Sequence, residues 1–297
     1  MHPAILYANY VIQLISSLST IILNPYTLFR QQRSFNGSSQ LSMISAHMVL
    51  HFFFGLTTLI HSFYMCVIIE DPNRNHEIIF WTGNLNYSTL YAVGMVDLFL
   101  AFDRFFAITY PVKYFVRFKN SFLVFSVVTC IAYVLVGVVL LPTARAPPSP
   151  DAITFSQHLN TNILLVFTFS NTVFIILNVA VTVVVIVKTR KFNRELKSKT
   201  VAVAASKRDL VEANMIVLYQ LILETLFCIL PFLTNSIIKA GYGDDTTTWI
   251  LGPYVMTLPN VYICLCSILY FVKLSKSQSE ARRRRSAVVN VFALYTK

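Results

Sequence analysis

Seven apolar stretches, each long enough to cross a bilayer, leave this chain few ways to fold: roughly Ala4–Phe29, Leu41–Ile69, Ile78–Phe102, Ser121–Leu141, Thr161–Val187, Met215–Ile238 and Trp249–Val272. The first, second, fourth, fifth and seventh contain no Asp, Glu, Lys or Arg, while the third and sixth each carry one acid, Asp97 and Glu224. The runs are rich in Val, Ile and Phe, but their length makes them helices, because an open sheet leaves its edge groups unpaired in lipid. With 56% hydrophobic and only 12% charged residues over 297 positions, the chain has more apolar surface than a soluble domain of its size can bury. The expected architecture is an all-α membrane protein, a bundle of seven transmembrane helices over residues 1–272 followed by a basic tail, 273–297.

The net charge of +11 is unevenly spread, and that spread predicts the orientation. With the N-terminus outside, the cytoplasmic segments hold 21 of the 24 Lys and Arg, and only Arg74, Arg145 and Lys239 lie outside. Five acids lie inside and six outside, giving +16 against −3, as the positive-inside rule requires. Positive charge then reads as membrane orientation and lipid contact, and nucleic acid is not an expected partner. The N-terminal run has no basic region before it, exceeds a signal peptide's apolar core and offers no obvious cleavage site, so it is expected to stay as the first helix, with no extracellular domain before it. No catalytic constellation and no glycine-rich phosphate cradle is present, which argues against an enzyme. The five cysteines, Cys66, Cys130, Cys228, Cys264 and Cys266, all fall in expected helices and read as small apolar filler.

At the end of the third apolar run stands Ala101-Phe102-Asp103-Arg104-Phe105-Phe106-Ala107-Ile108-Thr109-Tyr110-Pro111-Val112-Lys113-Tyr114. An acid–base pair followed by Ile108, then Pro111, then Tyr114 at intervals of three resembles the cytoplasmic end of helix three in rhodopsin-like G-protein-coupled receptors. Phe105 stands where that family usually has Tyr. In helix six, Cys228-Ile229-Leu230-Pro231 resembles the family's Cys-Trp-x-Pro kink with Ile229 in place of the Trp, and Pro231 is the expected hinge. In helix two, His51-Phe52-Phe53-Phe54-Gly55-Leu56 resembles Asp-Leu-Leu-Phe-Gly-Leu, with His51 in place of the acid that commonly binds sodium. Helix seven keeps Pro259 and Tyr262 in mid-helix, but Tyr270, three residues before Lys273, is the better match to the tyrosine at the inner end. Ile79 occupies the position of the usual disulfide cysteine. These eroded motifs, the missing disulfide and the short N-terminus make the chain similar to nematode serpentine chemoreceptors, which implies a plasma-membrane receptor of sensory-neuron cilia for an odorant or pheromone-like small molecule.

The resemblance implies a switch. Arg104 is held at rest by Asp103 and by Glu212, and ligand binding frees it for a heterotrimeric G protein as helix six swings about Pro231. Asn86, Tyr87, Phe232, Ser236 and Tyr254 are the expected pocket. Asn86 lies about five turns above Arg104, where amine receptors carry an acid, so a neutral and mainly apolar ligand is expected. Asp97 and Arg104 are seven apart and share a face toward the bundle. Glu224 is expected to be protonated or paired with His51. His47, His51 and His61, spaced by four and ten, do not gather on one face, so no metal or other cofactor is expected. Pro147, Pro148 and Pro150 are expected to hold the second outer loop extended. Arg282 to Arg285 should attract anionic lipid, and phosphorylation of Ser286 should weaken that attraction. Two other readings stay open: a proton-coupled transporter using Asp97, Glu224 and His51, though no paired halves are visible, and a ligand-gated channel of the insect odorant type, whose inside N-terminus the charge pattern opposes.

Overall fold

The computed structural model describes residues 3–34, 42–69, 71, 74–147, 152, 154–196, 215–231, 233–234, 238 and 253–295. Seven long helices occupy the seven expected runs: α1 (Pro3–Ser34), α2 (Ser42–Ile68), α3 (His76–Thr109), α4 (Lys119–Thr143), α5 (Thr161–Leu196), α6 (residues 215–231) and α7 (Tyr254–Tyr295). Among the described residues the β pairing is a single isolated bridge, Arg145 with Leu159. Among the described residues five helices, α1, α2, α4, α5 and α7, are long and apolar enough to cross a membrane, and α6 contributes a shorter apolar helix, Met215–Ile229. These five are the runs that carry no Asp, Glu, Lys or Arg apart from their ends.

The chain is turned inside out relative to a soluble protein. Large apolar side chains such as Ile15, Phe63, Val128 and Phe169, the last 72% exposed, face outward, while Gln13, Asn24, His47, Asp97 and Glu224 are buried. Lipid would cover the first set, and the second must find partners between helices. They do so around α1: Gln13 donates to Thr257 at 2.9 Å and accepts from Ser62 at 2.9 Å, tying α1 to α7 and α2. α3 is the central strut, packed on α2, α4 and α5. It is buried along most of its length, and so tolerates Asn84, Asn86 and Asp97 where a lipid-facing helix would not. Asn75 caps its start, accepting from Glu77 N at 2.9 Å. Close approach of α4 depends on Gly137, where a Cβ would lie 2.8 Å from Ser88 Oγ.

Three further local features shape the helices. The segment after α3 is helical: Pro111 opens a short turn, Pro111–Lys113, and a wide π turn, Tyr114–Phe118, runs into α4. Proline suits this first position because its missing N–H would be unpaired there anyway. In α6 the residues before Pro231 form a second π turn, Thr225–Ile229, a distortion common beside a proline that cannot donate. α7 runs on past residue 273 without a break.

The loop between α4 and α5 folds back onto α3 instead of running extended in its described part; Pro148 and Pro150 lie outside the described residues. Ala146 N bonds His158 O at 2.9 Å and Asn160 N bonds Ala144 O at 2.8 Å, closing the loop at its base. A short 3-10 turn, Phe155–His158, then drives Phe155 against Gly83, where any Cβ would lie 2.6 Å from the ring. All five cysteines are free, and Ile79 packs with Leu6, Tyr10, Met65 and Ile68.

Candidate functional site

Asp97, midway along α3, is the point where four helices meet. Gln220 of α6 donates to its Oδ1 at 2.6 Å, Tyr262 of α7 donates to its Oδ2 at 2.9 Å, and Nε2 of His47 on α2 contacts Oδ1. Tyr270 of α7 completes the ring, donating to Gln220 Oε1 at 2.8 Å and lying 3.1 Å from His47 Nδ1. Every member is buried. His51, one turn beyond His47, stacks edge-on with it at 3.9 Å between centroids, and neither of its nitrogens has a hydrogen-bond partner among the described residues. Glu224, one turn beyond Gln220, does not pair with His51. Its Oε2 accepts from Asn178 Nδ2, because that face of α6 turns to α5, and Thr182 supports Asn178 at 3.3 Å. His61 stands apart from the other two α2 histidines, on Thr82 at 2.9 Å.

A second cluster closes the Asp103 end of α3. Arg104 is only 3% exposed and bonds the neighbouring Asp103, whose other oxygen accepts from the Tyr114 hydroxyl. The wide turn at Tyr114–Phe118 is what brings that hydroxyl back beneath α3. Ile108 is half-buried and Pro111 exposed beside this cluster. Lys188 of α5 reaches across to Thr109 at 2.9 Å and sits 4.9 Å over the Phe105 ring, a cation–π contact open to tyrosine or phenylalanine alike. Glu212 lies outside the described residues.

At the Glu77 end the expected pocket residues do not share one surface. Asn86 turns to α2, where Thr58 donates to its Oδ1 at 2.8 Å, while its Nδ2 has no partner among the described residues. Tyr87, the next residue, turns the other way and packs 4.8 Å from Phe155 between ring centroids. Tyr254 opens α7, half-buried, and Phe232 and Ser236 lie outside the described residues. Above them Arg145 makes a two-pronged ion pair with Glu77 and lies 4.6 Å over Phe80. The Arg145 hydrogen bond holds the Glu77 carboxyl below its usual value. Burial holds the His158 imidazole, 3.1 Å from His76, below its usual value too.

A long-helix bundle with a buried Asp-Arg pair at one end of its central helix has the form of a serpentine receptor, and the family comparison decides which. The family model for the serpentine type 7TM GPCR chemoreceptor Srbc matches residues 2–278. The chain belongs to the Srbc family. No curated protein matches it. The Srbc chain is accordingly a multi-pass membrane protein of a receptor family, with a seven-helix bundle.

Within this Srbc bundle, sequence reasoning missed His47, Gln220, Tyr262 and Asn178. A signal existed for the first three: each lies one or two helical turns from a residue already singled out, His51, Glu224 and Tyr270. Asn178 offered none, since its importance comes from a partner on another helix.

Proposed function

We propose that this Srbc receptor binds a small, neutral, mainly apolar molecule between its helices at the Glu77 end and activates a heterotrimeric G protein at the Asp103 end. The observation that carries the reading is the tie of Arg104 to Asp103, itself held by Tyr114. An arginine buried at the mouth of a bundle is costly unless paired, so a rearrangement that breaks this tie presents a cation to whatever docks there. The wide turn before Pro231 gives α6 a place to bend, and Ile108 and Pro111 border the same docking face. Asn86 supports the ligand assignment. Its unpartnered amide can donate to a carbonyl or hydroxyl oxygen, and no described acid stands beside it to hold an ammonium. Phe232, Ser236 and Tyr254 are the remaining lining in this reading, and Tyr87, packed on Phe155, stands off it. In this reading the N-terminus is outside, the receptor sits in the plasma membrane of sensory cilia, and Arg282 to Arg285 hold the tail against anionic lipid at about 1 kcal/mol per charge.

The test is Arg104→Ala. Cells expressing it should show wild-type surface levels and ligand occupancy, with G-protein activation lost. Full signalling by this variant overturns the coupling mechanism. An organic cation that binds more tightly than neutral odorants in the same screen overturns the ligand assignment.

A further inference from the structure

Tyr270 has a single hydroxyl hydrogen and gives it to Gln220 Oε1, so its oxygen accepts from His47 Nδ1 at 3.1 Å. The Nε2 lone pair of His47 then faces Asp97 Oδ1, and the Gln220 amide, 3.1 Å from Nε2 and 2.6 Å from Oδ1, is the donor the two acceptors share. A cation at this point would serve both acceptors. The imidazole of His51 is fully buried beside His47, and both its nitrogens lack a hydrogen-bond partner among the described residues.

We propose that His47, His51 and Asp97 form a binding site for a divalent transition-metal ion of the zinc type. One ligand atom from each of the three lies within 4.8 Å of the others. Zinc with ligands at about 2.1 Å sets such atoms roughly 3.3 Å apart, so side-chain adjustments of the order of an ångström close the site. Two imidazoles and one carboxylate suit zinc; sodium-, calcium- and magnesium-type ions prefer oxygen throughout. The spacing of four residues puts both histidines on one face of α2, and Asp97 meets them from α3. The outer contacts are those of a metal site: Tyr270 orients His47 through Nδ1, and Tyr262 holds Asp97 Oδ2 at 2.9 Å. The ion would clamp α2 to α3 at the level where α6 and α7 also engage Asp97. This inference does not depend on the ligand or on G-protein coupling.

The full-length chain, purified in detergent with a tag free of histidine, is equilibrated with zinc, dialysed and assayed for bound metal. The assay uses a His76→Ala background, which removes the imidazole pair at the Glu77 end. About one zinc per chain is expected, lost in His51→Ala and retained in His61→Ala, whose imidazole bonds Thr82 outside the cluster. Metal retained in full by His51→Ala, or none held by the parent chain, overturns the proposal. Cobalt substitution of the parent chain reads the site without any cluster variant: strong tetrahedral visible bands support it, and weak octahedral bands overturn it.

Discussion

Asp97 is the residue on which the buried hydrogen bonds converge, and its removal should cost more than the loss of any one partner. Asp97→Ala leaves Tyr262 without its acceptor and Gln220 with only its longer contacts to Tyr262 and His47, within a closed interior. Breaking a buried charged set in this way costs about 3–5 kcal/mol. Tyr262→Phe deletes one hydrogen bond to the carboxylate and should cost about 1.5–3 kcal/mol. Thermal unfolding in detergent orders the two, and equal losses would show that Asp97 does not organise the cluster. The two acids were legible because an ionisable group in a membrane span is rare and costly enough to stand out. Their partners were not. Whether Glu224 meets His51 or Asn178 depends on how α6 is rotated about its axis, which no local pattern encodes.

Among the elements, the loop between α4 and α5 shows how a lid is held down without a disulfide. Phe155 fills the space above Gly83, and Arg145 ties the loop base to Glu77 at the start of α3. This attachment should depend on pH. His158 is held below its ordinary value of 6.5, so as pH falls past that value the unfolded chain takes up a proton that the folded loop resists, and stability drops. Glu77 is held below its ordinary value of 4.5, so its contribution is complete above that pH and is lost as pH falls further, through its folded value. Thermal midpoints measured from about pH 7.5 to pH 4 should fall less steeply in His158→Gln than in the parent between about pH 6.5 and 5. Superimposed profiles over that interval would remove His158 from the account. The helices themselves were legible to within a few residues at most ends, because an unbroken apolar run fixes where a span can lie. The helical path from Pro111 to Phe118 was not, since its residues are polar and apolar in no clear period and packing against α3 decides their form.

For the whole molecule, the distribution of Lys and Arg makes a claim that the bundle alone does not: the Asp103 end faces the cytoplasm. Epitope tags at Met1 and Lys297, stained in intact and permeabilised cells, should place the first outside and the second inside. The reverse would put Arg104 on the outer face and favour the channel reading. Both tags on one side would mean an even number of crossings and bring the transporter forward.

The sequence by itself determined that this chain is a bundle of seven membrane helices, because hydrocarbon forbids unpaired backbone and the length of an apolar run is a local property. It also marked Asp103, Arg104 and Tyr114 as members of one motif, near one another along the chain, while the wide turn that seats the Tyr114 hydroxyl on Asp103 was decided by packing. Only the tertiary structure decided that His47, Asp97, Gln220, Tyr262 and Tyr270 form one cluster, that Asn178 takes Glu224, and that Phe155 covers α3. Those contacts join residues tens to hundreds of positions apart, and they depend on helix rotation and tilt, which are set by the packing of every neighbouring face at once.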